Sequence, residues 1–184
     1  GLKEKIDNND CINIQIGHSS SETLNHEDVL IKLEKYKDQN IKIFIPLSYG
    51  DMDYGDKIQK IANDIFGSKA VCIREMIPRD KYMEFLSTID IAIFNTYRQI
   101  GLGNISPLLF MEKKIFMPKG STMYDFYKSN NIDIWDYNEI QNLNYSEFVS
   151  PILQSYGRDY IIENELNVGK KIKMWGRVFQ FPLK

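Results

Sequence analysis

Apolar residues fall along this chain in two alternating rhythms. Short runs rich in isoleucine, valine and phenylalanine read as buried strands. They cover Cys11–Ile16, ending at Gly17; Ile41–Ile45, stopped by Pro46; Ala70–Ile73; Ile89–Phe94; Lys114–Met117, before the turn Pro118-Lys119-Gly120; and Ile132–Trp135. Between these runs the apolar spacing changes to three and four. Leu24, Val29, Leu30 and Leu33 predict a helix capped by Ser21. Ile58, Ile61, Ala62 and Ile65 place another over Tyr54–Phe66, closed by Gly67. Tyr82, Phe85 and Leu86 mark a helix that begins around Pro78 and Asp80. Further helices are expected after Gly103 as far as Met111, over Thr122–Ser129, and from Asn144 to about Leu166. Six strand-then-helix units in series predict an α/β fold: Rossmann-like and doubly wound, with a mostly parallel six-stranded sheet and helices on both faces.

At 184 residues the chain suits one well-buried domain. It divides into a leader or tag remnant with linker (1–10), a Rossmann-like domain (11–168) and a basic, aromatic tail (169–184). A formal net charge of −2 excludes a strongly basic nucleic-acid binder, and no nucleic-acid partner is expected. There is no apolar run of membrane-spanning length. Cys11 and Cys72 sit at or inside apolar runs, which predicts two reduced, buried thiols and a reducing compartment. Neither forms metal-ligand spacing with His18 or His26, so no metal or other cofactor is expected. Gly1 followed by a polar lead predicts a fragment of a longer protein. The tail, Lys170-Lys171-Ile172-Lys173-Met174-Trp175 and onward to Phe181, is expected to pack on its own domain or on a missing partner domain. The alternative is contact with an anionic membrane surface.

The chemistry gathers at strand ends. Arg98-Gln99-Ile100-Gly101-Leu102-Gly103-Asn104 lies where the fourth strand hands over to a helix. Helix N-termini favour anions, glycines let backbone approach a ligand, and an arginine fork matches phosphate. A dinucleotide fingerprint would follow the first strand and carry a third glycine where Ser106 stands, so a nicotinamide dehydrogenase is disfavoured. A Walker loop and a hydrolase nucleophile elbow are absent. Three more strand ends carry polar residues: Gly17 and Ser19, with Asn25 and His26 further on; Ser48, Tyr49 and Gly50; and Glu75. Taken singly, these are ordinary turns, N-cap serines, or a surface ion pair of Glu75 with Arg74 or Lys81. In a parallel sheet they share one edge, where together they form a site.

These segments resemble the TDP-N-acetylfucosamine:lipid II N-acetylfucosaminyltransferases, the 4-acetamido-4,6-dideoxy-D-galactose transferases of bacterial surface-polysaccharide synthesis. The likeness rests on Gly17-x-Ser19 with Asn25-His26, Pro46-Leu47-Ser48-Tyr49-Gly50, Ile65-Phe66-Gly67 and Arg98-Gln99-x-Gly101-x-Gly103, and covers roughly Cys11 to Trp135. It implies the C-terminal, donor-binding half of a GT-B glycosyltransferase (a hexosyltransferase), expected to be inactive without its N-terminal domain. The implied donor is a TDP-linked amino sugar and the implied acceptor a polyprenyl-linked saccharide, of the kind used for enterobacterial common antigen. No essential metal is implied. Arg98 and the amides near Gly101–Asn104 would neutralise the diphosphate, Gly17 and Ser19 would contact phosphate or the transferred sugar, and Tyr49 and Glu75 would orient ribose, base or sugar. The base that deprotonates the acceptor would lie on the missing domain. The implied location is cytoplasmic, with peripheral contact to the inner membrane. A nucleotide-sugar epimerase-like GT-B enzyme and a non-catalytic α/β interaction module remain the rival readings.

Overall fold

The structure, a computed structural model, describes residues 2–8, 10–152 and 156–180. In chain order its elements are α1 (Leu2–Asp7), β1 (Ile12–Ile16), α2 (His26–Leu33), β2 (Ile41–Pro46), α3 (Met52–Phe66), β3 (Ala70–Ile73), α4 (Arg79–Thr88), β4 (Ile91–Ile93), α5 (Leu102–Phe110), β5 (Lys114–Met117), α6 (Thr122–Ser129), β6 (Trp135–Asp136), α7 (Tyr145–Phe148), α8 (Tyr156–Tyr160) and α9 (Val168–Gln180). Among the described residues the strands form one sheet in the order β3-β2-β1-β4-β5-β6, and every pair is parallel. Ile14 lies opposite Ile43 on one side and Ile91 on the other. The chain starts in the middle, winds outward to β3, then crosses back to place β4 beside β1. That reversal opens a crevice between the two halves.

Alternation along each strand sends successive side chains to opposite faces. Ile14, Ile16, Ile43, Ile45, Ile91 and Ile93 share one core with Val29, Leu30 and Leu33 of α2 and Ile58 and Ala62 of α3. Ala92, Phe94, Ile115 and Met117 share the other with Leu86 of α4, Ile105 and Leu108 of α5 and Met123 of α6. The doubly wound α/β architecture is therefore as the periodicity predicts.

Several boundaries differ from expectation, each for a local reason. Ser21 makes no capping bond; its hydroxyl pairs with Thr23 Oγ1 at 2.9 Å, and α2 starts beyond Asn25, which takes the left-handed conformation. Asp51 caps α3 by accepting from the Tyr54 N–H at 3.0 Å, so that helix starts at Met52. The last strand is Trp135–Asp136, the two residues that pair with β5, because the Ile132 N–H is taken by Tyr127 O at 2.9 Å at the end of α6. The helix expected over 144–166 is broken. Asn144 and Glu147 form a reciprocal capping box, but α7 ends at Phe148, just before Pro151. Residues 153–155 lie outside the described residues; beyond them α8 covers Tyr156–Tyr160 and passes into a π-helical turn over Ile161–Glu165. The leader is also structured: Lys5 of α1 bonds the buried Asp90 at 2.7 Å.

Lys114 is a buried cation at the start of β5. Its Nζ donates to the carbonyl oxygens of Glu147, Phe148 and Ser150 at 3.3, 2.8 and 3.1 Å, closing the C-terminal end of α7. Burial pulls its pKa down to about 8. Cys11 and Cys72 are free and half-buried rather than fully buried. The tail forms α9, with Ile172, Met174 and Trp175 exposed beside Lys170, Lys171, Lys173 and Arg177. Residues 181–184, including Phe181, lie outside the described residues. No helix among the described residues is long and apolar enough to cross a membrane.

Candidate functional site

The C-terminal ends of β1, β2, β3 and β4 meet at the crevice. Gly17 turns the chain out of β1 with φ +62°, and its N–H donates to Ile93 O at 2.9 Å. A Cβ there would stand 2.6 Å from His26 Nε2. The loops after β1 and β2 are tied together: Ser20 N–H donates to Tyr49 O at 2.7 Å, Asp51 N–H to Ser20 O at 2.9 Å, and Ser20 Oγ to Leu47 O at 2.9 Å. Gly50 permits this approach, because a Cβ would sit 2.7 Å from Ser20 O. Asn25 Nδ2 donates to Asn95 O at 2.9 Å, tying the start of α2 to the loop after β4.

That loop leads to α5. Gly101 is its N-cap, with φ +78°, and its carbonyl accepts from the N–H groups of Asn104 and Ile105 at 2.8 and 3.0 Å. The first-turn amides of Leu102 and Gly103 have no partner within a helix by geometry. Nothing lies within 4 Å of a Cβ placed on Gly103. The helix starts at Leu102, two residues earlier than expected, with Gly103 in its first turn rather than before it.

A cavity of about 290 Å³ opens at this edge. Its polar lining is His18, Ser48, Tyr49, Arg79, Tyr82 and Asn104, and Pro46, Ile73, Met76 and Ile77 form its apolar wall. The floor is a hydrogen-bonded set. Buried Gln15 donates through Nε2 to Gly17 O at 2.8 Å and to Asn104 Oδ1 at 3.2 Å. Tyr82 OH donates to the same Oδ1 at 2.5 Å. Two donors on Oδ1 fix the amide and turn Asn104 Nδ2 into a donor for whatever occupies the cavity. Burial pushes the Tyr82 phenol up to about 12, so it remains a neutral donor. His18 lies against the rings of Tyr49 and Phe94, each 6.3 Å away, and burial lowers its pKa. Arg98 is exposed, forms no ion pair among the described residues, and has its own N–H held by Thr96 Oγ1 at 3.1 Å.

The residues singled out from sequence are distributed unequally. Ser48, Tyr49 and Asn104 line the cavity, while Gly17, Ser19, Gly50, Gly101 and Gly103 shape the loops around it. His26 is fully buried beneath Gly17, with Nδ1 3.2 Å from Tyr54 OH, and supports the loop from below. Gln99 lines a second cavity of about 240 Å³ on the other side of the α5 N-terminus, with Leu102, Phe126, Tyr160 and Glu165. Glu75 is exposed at the end of β3, outside the lining of either cavity. Neither ion pair considered for it forms: Arg74 bonds Asp56 at 2.5 Å and Lys81 bonds Glu84 at 2.9 Å. Sequence reasoning passed over His18, Arg79 and Tyr82. His18 was visible as a histidine at a strand's C-terminal end; Arg79 and Tyr82 depend on how α4 docks. No group of three or more histidine, cysteine or acidic residues among the described residues could hold a metal ion.

The model of the family described as 4-alpha-L-fucosyltransferase glycosyl transferase group 56 matches residues 2–140. The chain belongs to glycosyl transferase group 56. The group 56 chain also has the fold of one half of GT-B glycosyltransferases. It superposes with TM-score 0.70 and 12% identity on a structure described as trehalose-6-phosphate from E. coli bound with UDP-2-fluoro glucose, covering 97% of this chain and 46% of that one. A glycosyltransferase from Rickettsia africae ESF-5 gives TM-score 0.70 at 13% identity, with 97% and 52% covered. The C-terminal domain of the glycosyl transferase group 1 family protein LpcC from Francisella tularensis gives 0.61 at 13%, with 89% and 92% covered. The group 56 chain thus spans about half the length of the first two and nearly all of the isolated C-terminal domain.

Proposed function

We propose that this group 56 chain is the donor-binding domain of a bacterial glycosyltransferase. The reading is that the full protein moves an amino-deoxy sugar of the 4-acetamido-4,6-dideoxygalactose kind from a TDP-sugar to a polyprenyl-diphosphate-linked saccharide, in surface-polysaccharide synthesis. One observation carries it: a cavity with fixed polar donors opens beside the glycine-capped N-terminus of α5, and Arg98, three residues before that cap, is exposed with no ion pair among the described residues. A nucleotide sugar has the matching parts, a dianionic diphosphate joined to a flat base and to hydroxylated rings.

In this reading the apolar wall of Ile73, Met76 and Ile77, with Tyr49, receives the base and ribose. Asn104 Nδ2 and Ser48 donate to their oxygens, and Glu75 at the rim accepts from a sugar hydroxyl. Arg98 and the amides of Leu102 and Gly103 hold the diphosphate, with Gly17 and Ser19 beside the phosphate or the transferred sugar. When the anomeric C–O bond breaks, the departing diphosphate gains negative charge. Donors already aimed at it lower that barrier. The acceptor hydroxyl loses its proton to a base on the other domain, and its oxygen forms the new glycosidic bond. The proposed place is the cytoplasm, with α9 meeting the missing domain or, through its four cations and exposed Trp175, the cytoplasmic face of the inner membrane.

Calorimetric titration with TDP tests the site. Replacing a bidentate charged contact removes about 1.5–3 kcal/mol, so Arg98→Ala is expected to bind TDP about 10- to 100-fold more weakly than wild type, with an unchanged melting temperature in the absence of ligand. Equal affinity in the two proteins would remove the arginine from the diphosphate site.

A further inference from the structure

We infer that His18 takes up a proton when the donor's diphosphate binds, so that the site tightens as pH falls through neutrality; this rests on the reading of the crevice as a diphosphate site. His18 follows Gly17 at the end of β1 and lies directly under the N-cap of α5: a Cβ on Gly101 would stand 3.0 Å from its Nδ1. The ring is thus placed where the free amides of that nine-residue helix begin, and it lines the cavity. It is only 8% exposed, and Nδ1 is buried without a hydrogen-bond partner. A buried polar atom left unpaired is costly unless a ligand completes it.

The surroundings decide the ring's charge. The titratable and charged groups around it are His26 from α2, Tyr49 from the loop after β2, and Arg79 and Tyr82 from α4, while Arg98, in the loop before α5, is exposed and lines neither cavity. Phe94 and Asn104 complete the contacts and do not titrate. No carboxylate is among these groups. Without ligand, burial disfavours the imidazolium, in agreement with the lowered pKa, and nothing nearby offsets that. A bound diphosphate reverses the balance by placing two negative charges beside the ring. His26 Nε2 is also buried without a partner, but that ring is fully buried behind Gly17, has Nδ1 engaged by Tyr54 and does not line the cavity. Between the depressed pKa of the free site and the raised pKa of the complex, each binding event takes up a proton, and affinity must grow as pH falls. The same charge then stands beside the diphosphate as it departs.

The probe is TDP-glucose, whose two phosphates are both esterified and keep a constant charge near neutrality, unlike free TDP. Binding is measured at pH 6, 7 and 8 for wild type, His18→Gln and Arg98→Ala, with thermal melts as a control for folding. A shift of about one unit on binding gives about a three- to sixfold loss of wild-type affinity from pH 6 to pH 8. His18→Gln is expected to be flat over that range, and Arg98→Ala to be weaker throughout with the slope retained. A wild-type slope in His18→Gln, or no slope in wild type, overturns the inference. Should His18→Gln fail to fold, titrations of wild type in buffers of different ionisation enthalpy count the protons directly, and zero uptake is the overturning result. Absence of TDP-glucose binding at every pH refutes the nucleotide reading and this inference with it.

Discussion

Gly17→Ala is expected to destabilise the protein by about 3 kcal/mol, lowering the melting midpoint by roughly 10 °C. Two costs add. A left-handed φ of +62° is unfavourable for any residue with a Cβ, and the new methyl would lie 2.6 Å from His26 Nε2 and 3.2 Å from Leu24 Cδ1. The histidine ring cannot swing aside, because it is fully buried and its Nδ1 faces Tyr54 OH at 3.2 Å. Gly120→Ala is the matched comparison. Gly120 has φ +83° but nothing within 4 Å of a Cβ, so only the conformational cost applies, about 1–2 kcal/mol. Thermal unfolding of both variants checks the difference; equal losses would mean that the contact between Gly17 and His26 contributes nothing.

Acid is expected to act through the same ring. Burial, with the nearby His18 as a second cause, lowers the pKa of His26 from 6.5 to about 4. Between these values the unfolded chain binds a proton that the folded chain excludes, so stability falls as pH falls from 6.5 to 4. The loss attributable to His26 is about 3 kcal/mol over that window. His26→Gln removes the titration, and its stability is expected to decline less steeply in acid than that of wild type, whatever its stability at pH 7. Chemical denaturation at pH 4.5, 5.5, 6.5 and 7.5 gives both slopes; parallel curves would show that the ring is protonated in the folded state.

The sheet and the position of the α5 loop were legible because their signals are local. β-branched runs, glycines at strand ends and apolar spacing each need only a few neighbouring residues. Gly101 and Gly103 were readable as a close-approach loop without knowing what lay opposite. The direction of side chains around that loop was not. Gln99 and Arg98 are adjacent, yet Gln99 lines the second cavity, and only the placement of Met123 and Phe126 of α6 around that cavity shows it. Arg79 and Tyr82 enter the site through the docking of α4, a long-range event that no spacing within the helix reveals. His26 looked like a ligand-facing residue because its loop is at the right edge, but the left-handed Asn25 before it turns the ring under Gly17. Lys114 read as an ordinary strand residue, since the carbonyl oxygens it bonds arrive from more than thirty residues away. Over 144–166 the apolar spacing predicts one helix, but α7 ends at Phe148, three residues before Pro151.

The central claim is that the crevice between β1 and β4 holds a nucleoside diphosphate. Amide NMR of the isotope-labelled chain during titration with TDP tests it most directly, because it reports where binding occurs as well as whether it does. The account predicts saturable shifts concentrated at Gly17–Ser20, Ile77–Tyr82 and Leu102–Asn104, with α9 unchanged. No saturable shifts, or shifts centred on Phe126, Tyr127 and Tyr160 around the second cavity, would contradict it.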